Sequence, residues 1–181
     1  MKEKKDTEDK RISKSKNALK RSLLLLMKKK PVSKISIKEL CICADLNRST
    51  FYANYSNIYE LLFDIYHDIF LQMDSFLKTN YVSGSNSPDR LYSLTGIIGY
   101  IRSNQEIFQI LLANNGSNLF EKHLTDYYMM KYLSDDASIT ERYTFLYHSI
   151  GSFTLIHQWM SEGCPCTEEN LAQIISGFQQ I

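Results

Sequence analysis

No stretch of the 181-residue chain holds the run of about 18 apolar residues that a membrane-spanning helix needs. The segment Leu23 to Met27 is apolar, but it is five residues long and closely flanked by Lys and Arg. It is too short for a secretory signal, and no small-residue cleavage site follows it. A cytoplasmic protein is expected, with no membrane partner. Strand-type alternation, solenoid repeats and a Gly-rich phosphate loop are also missing, which leaves an all-α chain. No paired carboxylates, metal triad or nucleophile–base motif stands out, so neither an enzyme nor a cofactor is expected and no catalytic residue is named. The four cysteines form two Cys-x-Cys pairs, Cys41 with Cys43 and Cys164 with Cys166. That spacing suits neither the usual zinc motifs nor a secreted disulfide framework. Structural reduced thiols are expected, and no metal site. The histidines at 67, 123, 148 and 157 are scattered without ligand spacing.

Charge is present but unevenly spread. The net charge is +1, yet residues 1–55 hold 15 Lys and Arg against 6 Asp and Glu, while the rest holds 6 against 14. A basic segment joined to an acidic one suits a part that faces nucleic acid and a part that avoids it. A solvated basic tail accounts for the same numbers, so charge alone decides nothing.

Apolar spacing supplies the organisation. Met1 to about Arg11 is polar and charged and reads as disordered. A helix to about Met27 follows, with Leu19, Ser22, Leu23, Leu26 and Met27 on one stripe, and Pro31 beyond its end. Ser36-Ile37-Lys38-Glu39 reads as a capping box, and Ile37, Leu40, Cys41 and Ala44 as one buried face. Asp45-Leu46 makes a tight break, because Asp tolerates the left-handed conformation better than most residues. Asn47 caps a third helix to about Tyr55, with Phe51 and Tyr55 inward and Ser49, Tyr52 and Ala53 on the other side. Two short helices joined by a short turn behind a longer one form a helix-turn-helix.

Asn57 then caps a long helix whose stripe runs Leu62, Ile65, Tyr66, Ile69, Phe70, Met73, Phe76 and Leu77. Thr79 to Pro88 reads as a loop. Helices are expected over Asp89–Ser103, Gln105–Ala113 and Leu119–Leu133. Ile139–Ser161 is apolar nearly all round, so it must be covered on several sides. Gly163-Cys164-Pro165 ends it, and Thr167 caps a last helix with Leu171, Ile174, Ile175 and Phe178 on its stripe. About nine helices result, in two parts: residues 1–56 as basic arm and helix-turn-helix, and residues 57–181 as a helical regulatory and pairing domain.

Residues Ile35 to Leu62, ISIKELCICADLNRSTFYANYSNIYELL, resemble the DNA-binding domain of the TetR family of transcriptional regulators. The matching positions are Ser36, Ile37, Ala44, Leu46, Ser49, Thr50, Phe51, Tyr52, Tyr55 and Leu61. Asp45 stands where the family usually has a turn Gly, and Ile58 where it usually has a phosphate-contacting Lys. The C-terminal part is similar in helix count, and its Gly151, Trp159 and Gly163 spacing resembles a group of Gram-positive regulators.

A helix-turn-helix carries its recognition helix, here Asn47 to Tyr55, into the major groove of double-stranded DNA. Arg48 and Ser49 are placed to reach bases. The resemblance implies that Thr50, Tyr52 and Asn54 hold phosphates. Asn47, Ala53, Lys34 and Lys38 complete the expected contact set, the lysines by salt-dependent attraction. One helix-turn-helix reads few base pairs, so a homodimer on a palindrome is expected. Ile150, Gly151, Phe153, His157, Trp159, Ile174 and Phe178 form the expected pairing surface. The resemblance further implies a small-molecule effector cavity among the middle helices, with Tyr66, Phe70, Phe108, Tyr127 and Tyr147 as candidate walls. A repressor is the expected sense of regulation. A helical protein–protein interaction module and a non-specific DNA binder remain as alternatives.

Overall fold

In a computed structural model, residues 2–77, 88–113 and 117–177 are described. They form nine α-helices and one 3-10 turn, with no strand among the described residues. The chain divides into two compact units, Met1–Asp68 with Gln109–Ser117 and Ile69–Phe108 with Asn118–Ile181.

In the first unit, α1 (Lys2–Met27) begins ten residues earlier than the polar opening suggests. Residues 2–11 are helical rather than disordered. Lys and Glu are good helix formers, and lengthening an existing helix incurs no new nucleation cost. Leu19, Ser22, Leu23 and Met27 are the buried stripe. Pro31 lies beyond the helix end, before the 3-10 turn Val32–Lys34. The second helix, α2 (Ile37–Cys43), packs against α1 and against α3 (Arg48–Tyr52) and buries Leu40 and Cys41. The Ser36 hydroxyl accepts the Glu39 amide, as the capping box requires. The Glu39 carboxylate bonds Lys30 at 2.6 Å.

Asp45 ends α2 in the left-handed region at φ 52°. Its amide donates to Ile42 O, and the Leu46 amide reaches back to Cys41 O. These two bonds make a Schellman motif, the device that closes orphaned helix carbonyls. The long α4 (Ile58–Leu77) starts on Asn57, whose side chain accepts the Tyr59 and Glu60 amides at 2.9 and 3.1 Å. The division between the units falls within α4, after Asp68.

The second unit comprises the later part of α4, α5 (Pro88–Ser103), the first residues of α6 (Gln105–Ala113), α7 (Ser117–Tyr132), α8 (Ile139–Ser161) and α9 (Glu168–Gly177). Its core holds Ile98, Ile101, Phe108, Phe120, Phe153, Ile156 and Trp159. Gly96 marks a close helix crossing, since a Cβ there would fall 2.6 Å from the Phe76 ring. A full capping box at Ser138 and Glu141 starts α8. A second Schellman motif, with Gly163 at φ 79°, ends it. Helix α9 packs on α5, and Arg102 bonds Glu168 at 2.8 Å. The Trp159 indole donates to Cys166 O at 3.0 Å.

Candidate nucleic-acid interface

Helix α3 is held from behind and open in front. Phe51 is fully buried and Tyr55 is 5% exposed, so both anchor the inner side. Asn47, Arg48, Ser49, Tyr52 and Ala53 are exposed, and Thr50 and Asn54 are half-buried. Tyr52 stands out at 58% exposure, a large aromatic left in solvent on a basic unit. The helix stops at Tyr52 rather than Tyr55: the chain turns at Ala53, and the Asn54 side-chain amide donates to Thr50 O at 2.8 Å. Asn47 takes the N-cap position with extended backbone, but its side chain makes no capping bond and stays outward. Lys34 and Lys38 are exposed nearby in sequence, on the 3-10 turn and on α2.

A groove of about 330 Å³ runs between the two helices, lined by Arg11, Ile12 and Ser15 of α1 and by Ser49, Thr50 and the Ala53–Asn54 turn. Arg11 and Ser15 therefore lie beside α3. The expected contact set holds neither residue, since helical period within α1 does not record which other helix lies beside it. At the expected phosphate-contact position Ile58 is buried, so it packs inward.

The segment after α3 is tied to α4 by polar contacts. The Tyr55 hydroxyl donates to Asp64 Oδ2 at 2.6 Å. Lys20 of α1 lies 3.1 Å from the same oxygen and 2.6 Å from Asp68, and Lys16 lies over the Tyr55 ring. Burial pushes the Asp64 carboxyl up, but the Tyr55 hydroxyl and the two lysines outweigh it and hold its pKa below the ordinary 3.8. Nothing in the spacing signalled this network.

The second unit contains a cavity of about 180 Å³ among α4, α5, α7 and α8. Met73, Ile97, Leu124, Tyr128, Phe153 and Ile156 are among its walls. None of Tyr66, Phe70, Phe108, Tyr127 and Tyr147 lines it. Tyr66 is buried in the first unit. Phe70 and Phe108 are core, packed on Phe120 at ring separations of 5.7 and 5.9 Å. Tyr127 packs on Phe70 at 5.1 Å and bonds Asp74. Tyr147 is exposed and borders a separate groove of about 360 Å³ with His148, Gly151 and Ile175. Aromatic type does not separate a packed ring from a cavity wall.

The residues expected to pair subunits are distributed over two sides. Ile150, His157 and Ile174 are exposed and Gly151 is half-buried. Phe153 and Trp159 are buried inside their own unit. Phe178 lies outside the described residues.

Residues 91–180 match a TetR-type family described as the transcriptional regulator C-terminal region. The fold is shared with a TetR transcriptional regulator from Streptococcus agalactiae 2603V. That match has a TM-score of 0.66 and 21% identity, over 96% of this chain and 97% of that one. The chain belongs to the TetR family. A second structural match is the dihydroxyacetone kinase operon activator DhaS, with a TM-score of 0.54 and 18% identity over 92% of this chain and 94% of that one. A search of curated proteins finds no match. The TetR assignment makes the chain a transcriptional regulator. Among the described residues no helix is long and apolar enough to cross a membrane.

Proposed function

We propose that this TetR-family regulator is a cytoplasmic homodimer that binds a palindromic operator through α3 and represses transcription until a small molecule releases it. Residues 1–56 act as the DNA-reading head, and residues 57–181 as the regulatory and pairing part. The observation that carries the DNA reading is the two-sided α3, with Phe51 and Tyr55 buried and Arg48, Ser49 and Tyr52 outward. Arg48 and Ser49 read base edges near the helix N-terminus. Thr50, Tyr52 and Asn54 fix register on phosphates, and Lys34, Lys38 and Arg11 add salt-dependent attraction.

The pairing reading rests on α8. Ile139, Tyr143, Tyr147 and Ile150 are exposed at spacings of four, four and three, which puts them on one helical stripe. Thr154 and His157 continue it, and Ile174 of α9 is exposed as well. Monomeric proteins rarely leave so contiguous an apolar surface uncovered. A two-fold dimer covers it and presents two recognition helices about one DNA turn apart.

The test is fluorescence anisotropy on inverted-repeat duplexes from the protein's own upstream region and on random duplex, over a salt series. Dimer-stoichiometric binding at least 10³-fold tighter to one repeat is expected, with affinity falling steeply as salt rises. Equal binding to all duplexes would replace this reading with a non-specific binder. No binding to any duplex would favour an interaction module.

A further inference from the structure

Two asparagines open helices of the first unit and are used differently. Asn57, before α4, accepts the Tyr59 and Glu60 amides, as an N-cap does. Asn47, before α3, makes no capping bond. Its backbone does not prevent one. Asn47 lies at φ −76° and ψ 151°, close to the φ −90° and ψ 150° of Ser36, which caps α2. The same extended backbone serves the cap at Ser138, before α8. Asn is among the strongest capping types, so an uncapped Asn in capping geometry has its side chain turned elsewhere. Asn47 is exposed, and its carboxamide makes no hydrogen bond among the described residues. The other carboxamide of this segment, that of Asn54, is spent on Thr50 O.

Position and chemistry narrow what the free carboxamide meets. It offers a donor and an acceptor side by side. Adenine presents the complement in the major groove, an N6 amino donor beside the N7 acceptor. Guanine presents two acceptors there, and cytosine a donor alone. A phosphate takes only the donor half of a carboxamide and carries no sequence. The N-terminal residues of a recognition helix are the ones that reach base edges. Asn47 stands at that end of α3, next to the exposed Arg48 and Ser49. We propose that Asn47 reads one adenine in each half-site of the operator, through paired hydrogen bonds to N6 and N7. This rests on the reading of α3 as the recognition helix, and it adds a base identity to that reading.

The experiment starts from a library of random-sequence duplexes, from which the full-length protein selects its preferred sites. Wild-type selections are expected to hold adenine at one position of each half-site. Asn47→Ala selections are expected to accept any base there and to keep the rest of the site. Anisotropy on the wild-type consensus duplex gives the size. Changing that A·T pair to G·C in one half-site weakens wild type about tenfold. Replacing the adenine by 7-deazaadenine, which lacks only the N7 acceptor, weakens it about fivefold. Neither change affects Asn47→Ala. In thermal melting Asn47→Ala matches wild type, because no cap is lost, whereas Asn57→Ala melts about 2–4 °C lower. Three results would overturn the proposal and leave the regulator reading intact. The first is an Asn47→Ala selection with the wild-type consensus. The second is a loss of affinity in Asn47→Ala equal for every duplex, which makes the contact one to phosphate. The third is Asn47→Ala melting as low as Asn57→Ala, which makes the side chain a cap. A wild-type selection that enriches no sequence would remove the regulator reading itself, and this proposal with it.

Discussion

Two aspartates on α4, ten residues apart, are handled in opposite ways by the two units. Asp64, in the first unit, keeps a quarter of its side chain in solvent and gathers donors from Tyr55, Lys20 and Lys16. Asp74, in the second, is sealed off, with one oxygen doubly bonded and the other without a partner. The first arrangement fixes a segment in place, because several modest contacts converge on a group that water still supports. The second holds a carboxylate out of water on the Tyr127 hydroxyl and the Lys131 ammonium alone.

Removing a cation should therefore matter far more at Asp74 than at Asp64. Lys131→Ala leaves a sealed carboxylate with only the Tyr127 hydroxyl, and a loss of about 3 kcal/mol is expected. Chemical denaturation at fixed protein concentration measures it. The double change Asp74→Leu with Lys131→Met should recover most of that loss, because apolar replacements need no partner. If Lys131→Ala is neutral, the contrast between the aspartates collapses.

Tyr55→Phe keeps the buried ring and removes only the hydroxyl that binds Asp64. A loss of about 1.5 kcal/mol is expected for a hydrogen bond to a charged group. Operator affinity should fall several-fold with an unchanged salt slope, since no phosphate contact is lost. A changed slope would make Tyr55 a direct DNA contact instead.

Lys20→Ala, at the edge of the same network, is expected to cost at most about 1 kcal/mol, because Asp64 is partly solvated. Its pH dependence carries a definite sign. The folded pKa of Asp64 lies below its unfolded value, so the stabilisation is present above the ordinary carboxylate range and is lost as pH falls through the depressed folded value. Melting curves from pH 6 down to pH 3 should show wild type losing stability faster than Lys20→Ala. Parallel curves would remove the lysine from the network.

The smallest effect concerns the turn between α2 and α3. Asp45→Gly relieves a left-handed backbone and gives up some unfolded-state restriction in return, for a net gain of about 0.5 kcal/mol. A rise of 1–2 °C in melting temperature is the expected size. A fall would mean that the Asp45 side chain contributes more than its backbone costs.

Much of the reading head was legible because its signals are local. Ser36, Asp45 and Asn57 each act on amides or dihedrals within a few residues, and each acts as its type predicts. The bounds of α5, α6 and α8 were readable for the same reason, from caps, breaks and apolar period. The polar tie between Tyr55 and α4 was not, since periodicity records which face is buried and not which hydroxyl meets which carboxylate. The cavity was less legible still. Its walls depend on where helices fail to fill space, and Phe70 and Phe108 look no different in sequence from the rings that line a pocket. Asp74, 1% exposed beside the apolar stripe of α4, was not singled out, because apolar period does not register a buried carboxylate whose partners come from another helix.

The most direct test of the central claim, that the outward side of α3 meets DNA, is tyrosine-nitration footprinting by mass spectrometry at saturating operator duplex. Tyr52 and Tyr92 are both well exposed in the protein alone. The account predicts that DNA protects Tyr52 and leaves Tyr92 as reactive as before. Full reactivity of Tyr52 in a saturated complex would contradict it.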